Sequence, residues 1–217
     1  MIVTIDGPAG AGKSTVARRL AERLGFRFLD TGAMYRAVAW AAARDRVEWS
    51  DAAAIAAIAE QTRIELPGTR VLVDGADVTA AIRTSEITSV THYAADNPQV
   101  RARLVERQRE LAGTENVVCE GRDQGTVVFP HAGCKIFLTA SPDERARRRL
   151  ADLAAHGETR ELDQVLAEQS LRDERDSARE VGPLLPAADA VHVSTDGLAI
   201  DEVVDRLEQL VRSRMDR

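Results

Sequence analysis

The sequence contains few of the residues that mark membrane, secreted or nucleic-acid-binding proteins. Its only cysteines, Cys119 and Cys134, belong to no CxxC motif or Cys/His cluster, so we expect two small buried core residues rather than a disulfide or a metal site. No apolar run approaches the roughly 18 residues of a membrane-spanning helix. The core pattern begins at residue 2 with no signal peptide before it, which predicts a cytoplasmic protein. A net charge of -6 provides no basic field, so we expect no nucleic-acid or membrane partner.

Lysine is almost absent. Of the 29 basic residues 27 are arginine, and the only lysines are Lys13 and Lys135. Arginine presents a planar, bidentate fork that suits phosphate and carboxylate groups. A GC-rich genome would produce the same bias through its codons, so the composition alone does not establish a phosphate-binding function.

Five short apolar runs bounded by turn residues predict the strands of a sheet. They do not alternate cleanly between apolar and polar residues, as expected for strands buried on both faces. Helical patterns separate them, and the alternation predicts an α/β fold with a doubly wound parallel sheet. The predicted strands are residues 2–6, 27–31, 116–120, 135–140 and 190–195, and the clearest helices are 13–24 before Gly25, 98–112 before Gly113, one after the capping box at 141–144, and 199–214.

One stretch departs from this alternation. Residues 63–79 have the pattern of antiparallel strands joined by turns at Pro67-Gly68 and Asp74-Gly75. An alanine-rich helix at 51–61 precedes them. We therefore predict that residues 37–97 form a subdomain inserted into the parallel core.

Residues 7–14, GPAGAGKS, match the phosphate-loop pattern G-x-x-x-x-G-K-[ST] at every fixed position. A predicted strand precedes the loop and a predicted helix follows it, so the backbone N–H groups of loop and helix start can converge on a phosphate. Lys13 would reach the β- and γ-phosphates of a nucleotide, and the Ser14 hydroxyl would ligate Mg²⁺. The predicted ATP-binding residues are Gly7, Pro8, Ala9, Gly10, Ala11, Gly12, Lys13, Ser14 and Thr15.

A phosphate loop alone does not distinguish an ATPase, a GTPase switch and a kinase. The Asn-Lys-x-Asp motif of guanine switches is absent. A kinase needs an acceptor pocket, and LDTGAMYR at 29–36 and EGRDQGTVVFP at 120–130 each begin where a predicted strand ends, which is where doubly wound sheets bind ligands. A kinase for another small molecule, such as UMP or shikimate, and a nucleotide-dependent module without an acceptor remain alternatives.

Charged residues in these segments are candidates for holding an anionic acceptor. Arg36 and Arg122 could grip its phosphate, and Asp123 could accept a hydrogen bond from an exocyclic amine of its base. Alternatively, Arg122 and Asp123 could simply form an ion pair with each other at the surface. Asp6 and Glu120, at strand ends facing the loop, could orient waters on Mg²⁺ or serve only as strand-end hydrogen-bond partners.

The segment LRDERDSAR places three arginines on one helical face with acidic residues between them, namely Arg172, Arg175 and Arg179. Such a pattern alone is typical of a solvated, salt-bridged helix. Beside a phosphate loop it favours a cationic lid, together with SPDERARRRL at 141–150.

The sequence resembles the bacterial cytidylate kinases, the (d)CMP kinases of the nucleoside monophosphate kinase family within the P-loop NTPases. The resemblance runs in family order over nearly the whole chain. It rests on the segments TIDGPAGAGKST, LDTGAMYRAVA, GADVTAAIRTSEI, VRARLVERQR, EGRDQGTVVFP, KIFLTASPDERARRR, and RDERDSAR with PLLPAADA.

The resemblance implies a P-loop core with a five-stranded parallel sheet, an inserted nucleoside monophosphate-binding subdomain with a small antiparallel sheet, and a short helical lid. It assigns residues 1–36, 98–140 and 181–217 to the core, 37–97 to the subdomain and 141–180 to the lid. It also implies transfer of the γ-phosphate of ATP to CMP or dCMP with Mg²⁺ as cofactor. We expect a monomer with these small molecules as its partners.

The resemblance carries roles to individual residues. Lys13, Arg122 and Arg179 are implied as catalytic, Ser14 as the metal ligand, and Asp123 as the reader of cytosine. The implied acceptor-binding residues are Thr31, Arg36, His92, Arg101, Arg122, Asp123, Arg172, Asp176 and Arg179. His92 departs from the family, because many members have a serine there; an imidazole could replace the hydroxyl at a longer reach, or Thr91 or Tyr93 could fill the space.

Overall fold

A parallel five-stranded sheet with the order β2-β6-β1-β7-β8 organises the computed structural model, which describes residues 1–155 and 157–215. The strands are β1 Ile2–Asp6, β2 Arg27–Asp30, β3 Ile64–Glu65, β4 Leu72–Val73, β5 Ala76–Asp77, β6 Val117–Gly121, β7 Cys134–Thr139 and β8 Val191–Ser194. The α-helices are α1 Lys13–Leu24, α2 Thr31–Arg44, α3 Ala52–Gln61, α4 Ser85–Ala95, α5 Pro98–Ala112, α6 Pro142–Ala155, α7 Leu162–Ala178 and α8 Ile200–Met215. A 3₁₀ turn covers Ala81–Arg83, and a π-helical turn covers Gln124–Val128.

The central strands of the sheet are buried on both faces, and the edge strands are not. Val3, Ile5, Val118 and Leu138 have no exposed surface. The expectation of full burial is wrong for β2 and β8, whose residues are mostly half-buried or exposed, because an edge strand lies at the border of the layers that cover the sheet. Residues at the carboxyl ends of β1 and β6 lie side by side, with Asp6 opposite Gly121. The chain segments that follow these two strands therefore start at the same edge of the sheet.

Helix α1 has the predicted bounds and packs against α8. Val16 and Leu20 are buried with Val204 and Leu207 in one apolar cluster over the sheet. Gly25 caps the helix in a left-handed conformation with φ of 67°, and its N–H donates to the Glu22 carbonyl. The predicted strand at 27–31 is one residue too long, because the Asp30 side chain accepts from the Ala33 N–H and so caps α2, which begins at Thr31.

The chain divides into two compact units, Met1–Phe28 with Thr114–Arg217, and Leu29–Gly113. The second unit contains the segment 37–97 and extends beyond it on both sides. The functional boundaries of the core, inserted subdomain and lid stay predictions, and residues 156, 216 and 217 of the predicted segments lie outside the described residues.

The second unit is built around α2, whose alanines allow close packing. Buried alanines of α2 contact α3 and α4, with Val73 of the small sheet in the same core. The predicted antiparallel strands are present as a three-stranded sheet, β3-β4-β5. Asp74 and Gly75 both have positive φ, 51° and 84°, which suits the tight turn between β4 and β5.

Helices α6 and α7 form a hairpin in the first unit. The Ser141 hydroxyl accepts from the Glu144 N–H at 3.3 Å, which confirms the capping interaction at the start of α6. Ala146 and Leu153 of α6 pack on Val165 of α7 in a small apolar cluster.

Both cysteines are free and fully buried, as expected of core residues. Burial raises the pKa of Cys134 to about 11 and that of Cys119 well above its usual value. Among the described helices, none has both the length and the apolar character needed to cross a membrane.

Candidate active site

The loop between β1 and α1 has a backbone that only glycine adopts readily at three positions. Gly7, Gly10 and Gly12 have φ of 148°, 78° and 86°. At Gly7 a Cβ atom would lie 2.0 Å from the Leu138 carbonyl oxygen, so any larger residue would displace the loop from β7. The loop ends at Gly12, the N-cap of α1. The N–H groups at the start of this helix and its dipole favour an anion at this point.

Lys13 is buried at the base of the loop, with 5% of its surface exposed. Its Nζ donates to the Pro8 carbonyl at 2.7 Å. Burial lowers the pKa of Lys13 from 10.5 to about 7, and the positive charges of Arg122 and Arg172 lower it further, against the opposing effect of Glu120 and Asp6. Two arginines and two carboxylates are thus among the charges that act on this buried lysine.

Asp6, at the end of β1, holds the segment after β6. Its two carboxylate oxygens accept from the N–H groups of Gln124 and Gly125 at 2.9 and 2.8 Å. Burial raises the pKa of Asp6 to about 6, and the nearby Asp123 carboxylate raises it as well, while the two backbone hydrogen bonds oppose the shift. Of the two alternatives for Asp6, these contacts are those of a strand-end hydrogen-bond partner.

Glu120 contacts the loop through a different partner. The Ser14 hydroxyl donates to Glu120 Oε1 at 2.6 Å. Hydroxyl and carboxylate oxygens are hard ligands that suit Mg²⁺. Among residues 1–155 and 157–215 no group of three or more His, Cys, Asp or Glu side chains could hold a metal ion.

Arg122, whose charge acts on Lys13, belongs to a buried ion-pair network with Asp176 and Arg179. Arg122 Nε donates to Asp176 Oδ2 at 2.7 Å, and Arg179 donates to the other oxygen of the same carboxylate. Burial alone would raise the pKa of Asp176, but the charges of Arg122 and Arg179 outweigh it and hold this pKa below its usual value. For Arg122 the effects are reversed: burial alone would lower its pKa, but the charges of Asp176 and Glu120 outweigh burial and raise it. Asp176 and Arg122 are therefore both charged at neutral pH.

The pairing of Arg122 with Asp176 differs from the surface pair with Asp123 that the sequence left open. Asp123 is itself buried, with 3% of its surface exposed, and it directly precedes the π-helical turn.

Asp176 is buried as well and Arg172 is half-buried, whereas Arg175 on the same helix is exposed. The three-arginine helical face predicted here is therefore wrong at Arg175, which is exposed, and at Arg179, which follows the last residue of α7, Ala178. The structure brings together these predicted residues of the first unit: Lys13, Ser14, Arg122, Asp123, Arg172, Asp176 and Arg179.

The remaining predicted acceptor residues belong to the second unit. Thr31 is buried at the start of α2, and Arg36 one turn later donates to Thr88 Oγ1 on α4 at 2.6 Å. Arg101 of α5 is 2% exposed and lies 5.4 Å from the centre of the Tyr35 ring. Three predicted residues thus lie on α2 and α5 of one core.

His92, the departure from the family, is half-buried on α4. Its Nδ1 lies 2.8 Å from the Ser89 carbonyl, which only accepts hydrogen bonds, so this nitrogen carries the proton and Nε2 is an acceptor in the neutral ring. The ring lies 4.1 Å from that of Tyr93, which stacks on Trp49 at 5.4 Å. Thr91 is buried and donates to the Ile87 carbonyl.

A residue that sequence reasoning missed, Arg145, contacts the phosphate loop. Arg145 donates to the Ala9 carbonyl at 3.0 Å and to Asp173 Oδ2 at 2.6 Å. The sequence offered only a general signal, a run of arginines in SPDERARRRL. Nothing in it singles out Arg145 among its neighbours, because its partners lie 136 and 28 residues away.

Comparisons with known proteins agree on one family. Residues 3–213 match the family model described as cytidylate kinase. A cytidylate kinase of Rhodopirellula baltica is 50% identical over 212 residues, covering 98% of this chain and 93% of that protein. One of Desulfitobacterium hafniense is 48% identical over 217 residues, covering 99% and 94%. Among solved structures, a shikimate kinase from Bacteroides thetaiotaomicron is similar in fold alone, with a TM-score of 0.50, 16% identity and coverage of 98% of both chains.

Proposed function

The chain belongs to the cytidylate kinase family and transfers the γ-phosphate of ATP to CMP or dCMP, and we propose that the cationic site around its phosphate loop performs this transfer. The observation that carries the proposal is the convergence of Arg122 and Arg172 on the buried Lys13. A buried lysine whose charged form is disfavoured by burial and by neighbouring cations is stabilised when clustered negative charge arrives. ATP with a monophosphate acceptor supplies such charge.

The donor phosphates are proposed to bind along the loop. The backbone N–H groups of residues 7 and 9–15 would face the polyphosphate, and Lys13 would leave the Pro8 carbonyl to reach the β- and γ-phosphates. Phosphoryl transfer involves little covalent chemistry for the protein, so positioning and charge neutralisation are its main contributions. Lys13, Arg122 and Arg179 are the residues proposed to neutralise the transferred group.

No general base is required for the acceptor. The second pKa of a phosphate monoester is about 6, so the acceptor oxygen is already ionised near neutral pH. The task of the enzyme is to bring two anions together and to exclude water, which would otherwise hydrolyse ATP. We propose that α6 and α7 provide the exclusion, since α7 carries the ion-paired Asp176 close to Lys13.

Mg²⁺ is proposed to bind at Ser14 and Glu120, whose oxygens lie 2.6 Å apart and suit it chemically. Bound Mg²⁺ would neutralise charge on the donor phosphates. If Glu120 orients this site, Glu120→Gln should raise the Mg²⁺ concentration needed for half-maximal rate while Glu115→Gln, at an exposed carboxylate just before β6, should not. Equal Mg²⁺ dependence of both variants would contradict the role of Glu120.

The acceptor contacts are proposed separately for the two units. In the first, Asp123 accepts from the cytosine amine, and Arg172 and Asp176 contact the ribose. In the second, the proposed contacts are Thr31, Arg36, Arg101 and His92, supported by the family match and by the burial of Thr31 and Arg101. A monomeric state and a cytoplasmic location stay predictions of the sequence.

ATP turnover with different acceptors tests the function. We expect rapid ADP formation with CMP and dCMP, much slower formation with UMP, AMP or shikimate, and almost none without an acceptor. Turnover that is independent of any monophosphate would indicate an ATPase and refute the proposal. Arg122→Met should abolish the acceptor-dependent turnover, while Arg212→Met on the exposed part of α8 should leave it unchanged.

A further inference from the structure

A buried arginine outside the predicted site joins the phosphate loop to α7. Arg145 lies in the first turn of α6, and only 8% of its side chain is exposed. Its guanidinium donates to the Ala140 carbonyl at 3.2 Å, to the Ala9 carbonyl at 3.0 Å and to Asp173 Oδ2 at 2.6 Å. One side chain thus holds the end of β7, the tip of the loop and the lid helix.

The contact with Ala9 has a consequence for the next residue of the loop. A peptide unit is planar and trans, so its C=O and N–H point in opposite directions. The chain has no cis peptide bond among the described residues. Because Arg145 holds the Ala9 carbonyl, the N–H of Gly10 must point away from the guanidinium. Backbone N–H groups of such loops bind phosphate, and Arg145 therefore fixes the direction of one of them.

Arg145 and Gln169 also pack closely against Gly10, so a larger side chain at this loop position would require a shift. A Cβ atom on Gly10 would lie 3.0 Å from both Arg145 Cβ and Gln169 Nε2. Gln169 lies one turn before Asp173 on α7, and its Nε2 donates to the Arg145 carbonyl at 3.2 Å. Helix α7 is therefore attached to Arg145 of α6 by two side chains, Gln169 and Asp173, and Arg145 in turn contacts the loop.

The hydrogen bonding of this attachment is not optimised for stability. Asp173 Oδ1 and Gln169 Oε1 are buried and have no hydrogen-bond partner among the described residues. Buried acceptors without partners are destabilising, and a buried ion pair can often be replaced by apolar residues without loss of stability. Such an arrangement is better explained by the geometry it imposes than by the stability it adds.

That geometry bears on residues of the proposed acceptor site. Arg172 is adjacent to Asp173, and Asp176 lies one turn further along the same helix. Resting on the proposed function, we infer that Arg145 and Asp173 are positioning residues: Arg145 directs the Gly10 N–H toward a bound phosphate, and its ion pair with Asp173 sets α7 so that Arg172 and Asp176 act at the same place.

Apolar substitution of either residue tests the inference. Arg145→Met and Asp173→Leu should each lower kcat with CMP by about 10- to 100-fold, because misplacement of reacting groups by about 1 Å has effects of that size. The KM for ATP should change far less, since the other loop contacts remain. Asp173→Asn retains an acceptor for Arg145 and should keep most of the wild-type kcat. The matched control is Arg147→Met, which removes an exposed ion pair with Glu144 on the same helix and should leave kcat unchanged.

The double variant Arg145→Met/Asp173→Leu separates positioning from stability. It replaces the ion pair by apolar side chains, so its thermal midpoint should return toward that of the wild type while its kcat stays low. A double variant with wild-type kcat would overturn the inference. So would single variants that lower only the thermal midpoint, or an Asp173→Asn variant as impaired as Asp173→Leu. A wild-type protein without CMP-dependent turnover would instead refute the proposed function itself.

Discussion

Replacing Lys13 by methionine should make the protein more stable and nearly inactive. The methionine side chain has a similar length and no charge, so it fills the same space without burying a positive charge. Lys13 has a pKa of about 7 in the folded protein, against 10.5 for an unperturbed lysine, chiefly because of burial and the neighbouring Arg122. The charge that the reaction uses is therefore one that destabilises the fold.

The magnitude follows from the two pKa values. Each unit corresponds to about 1.4 kcal/mol, so protonated Lys13 disfavours the folded state by about 5 kcal/mol. Between pH 7 and 10.5 Lys13 is protonated in the unfolded chain and mostly neutral in the folded protein. The unfolded state therefore binds more protons, and the free energy of unfolding rises with pH across this window. The penalty is fully present below pH 7 and disappears as the pH rises to 10.5. Methionine leaves the Pro8 carbonyl without its donor, which costs about 1–3 kcal/mol. The net gain at pH 7 should be about 2–4 kcal/mol.

Urea unfolding at two pH values measures this effect. Between pH 7 and about 9 the wild type should gain about 2 kcal/mol relative to Lys13→Met. In steady-state kinetics with CMP the variant should lose at least about 100-fold in kcat, because the lost interaction strengthens as charge develops.

The control is the only other lysine. Lys135 is also buried, and its Nζ donates to the Pro130 carbonyl at 2.6 Å, but it is paired with Asp189 at 2.9 Å. Lys135→Met should therefore lose stability and keep its kcat. The reasoning would be refuted if wild type and Lys13→Met showed the same dependence of unfolding free energy on pH.

Three further changes address the acceptor. Asp176→Ala should raise the KM for CMP much more than that for ATP, because it removes the proposed ribose contact and the carboxylate that holds Arg122 at 2.7 Å; a change in the ATP KM alone would assign α7 to the donor. Asp123→Asn should lower the ratio of kcat/KM values for CMP and UMP, because the Asp123 carboxylate is proposed to accept from the cytosine amine and would repel uracil O4. The lost discrimination corresponds to about 1–3 kcal/mol. An unchanged ratio would mean that another residue reads the base. His92→Ser should keep CMP activity and change the ratio of kcat/KM values for CMP and UMP, since a hydroxyl can donate and accept whereas Nε2 of the neutral ring only accepts. Identical CMP/UMP selectivity of the two proteins would exclude His92 as a base contact.

Local features of the sequence predicted the phosphate loop and most elements of the fold. The loop glycines could be read in advance because a positive φ is a property of one residue and its neighbours, whereas the atoms that a Cβ would meet at Gly7 and Gly10 come from distant parts of the chain. The bounds of α1 and the turn at Asp74-Gly75 followed from periodicity and turn chemistry in the same way. The strand ends were less well predicted, since the capping of α2 by Asp30 competes with the strand for the same residues.

Tertiary structure alone decided how the charged residues are used. Asp6 binds N–H groups 118 and 119 residues away, Arg122 binds Asp176 54 residues away, and Arg145 joins Ala9 to Asp173. The sequence around a charged residue does not show whether its side chain is solvated, ion-paired or buried beside other cations. Its partners and its pKa depend on distance and burial, and only the folded chain fixes these.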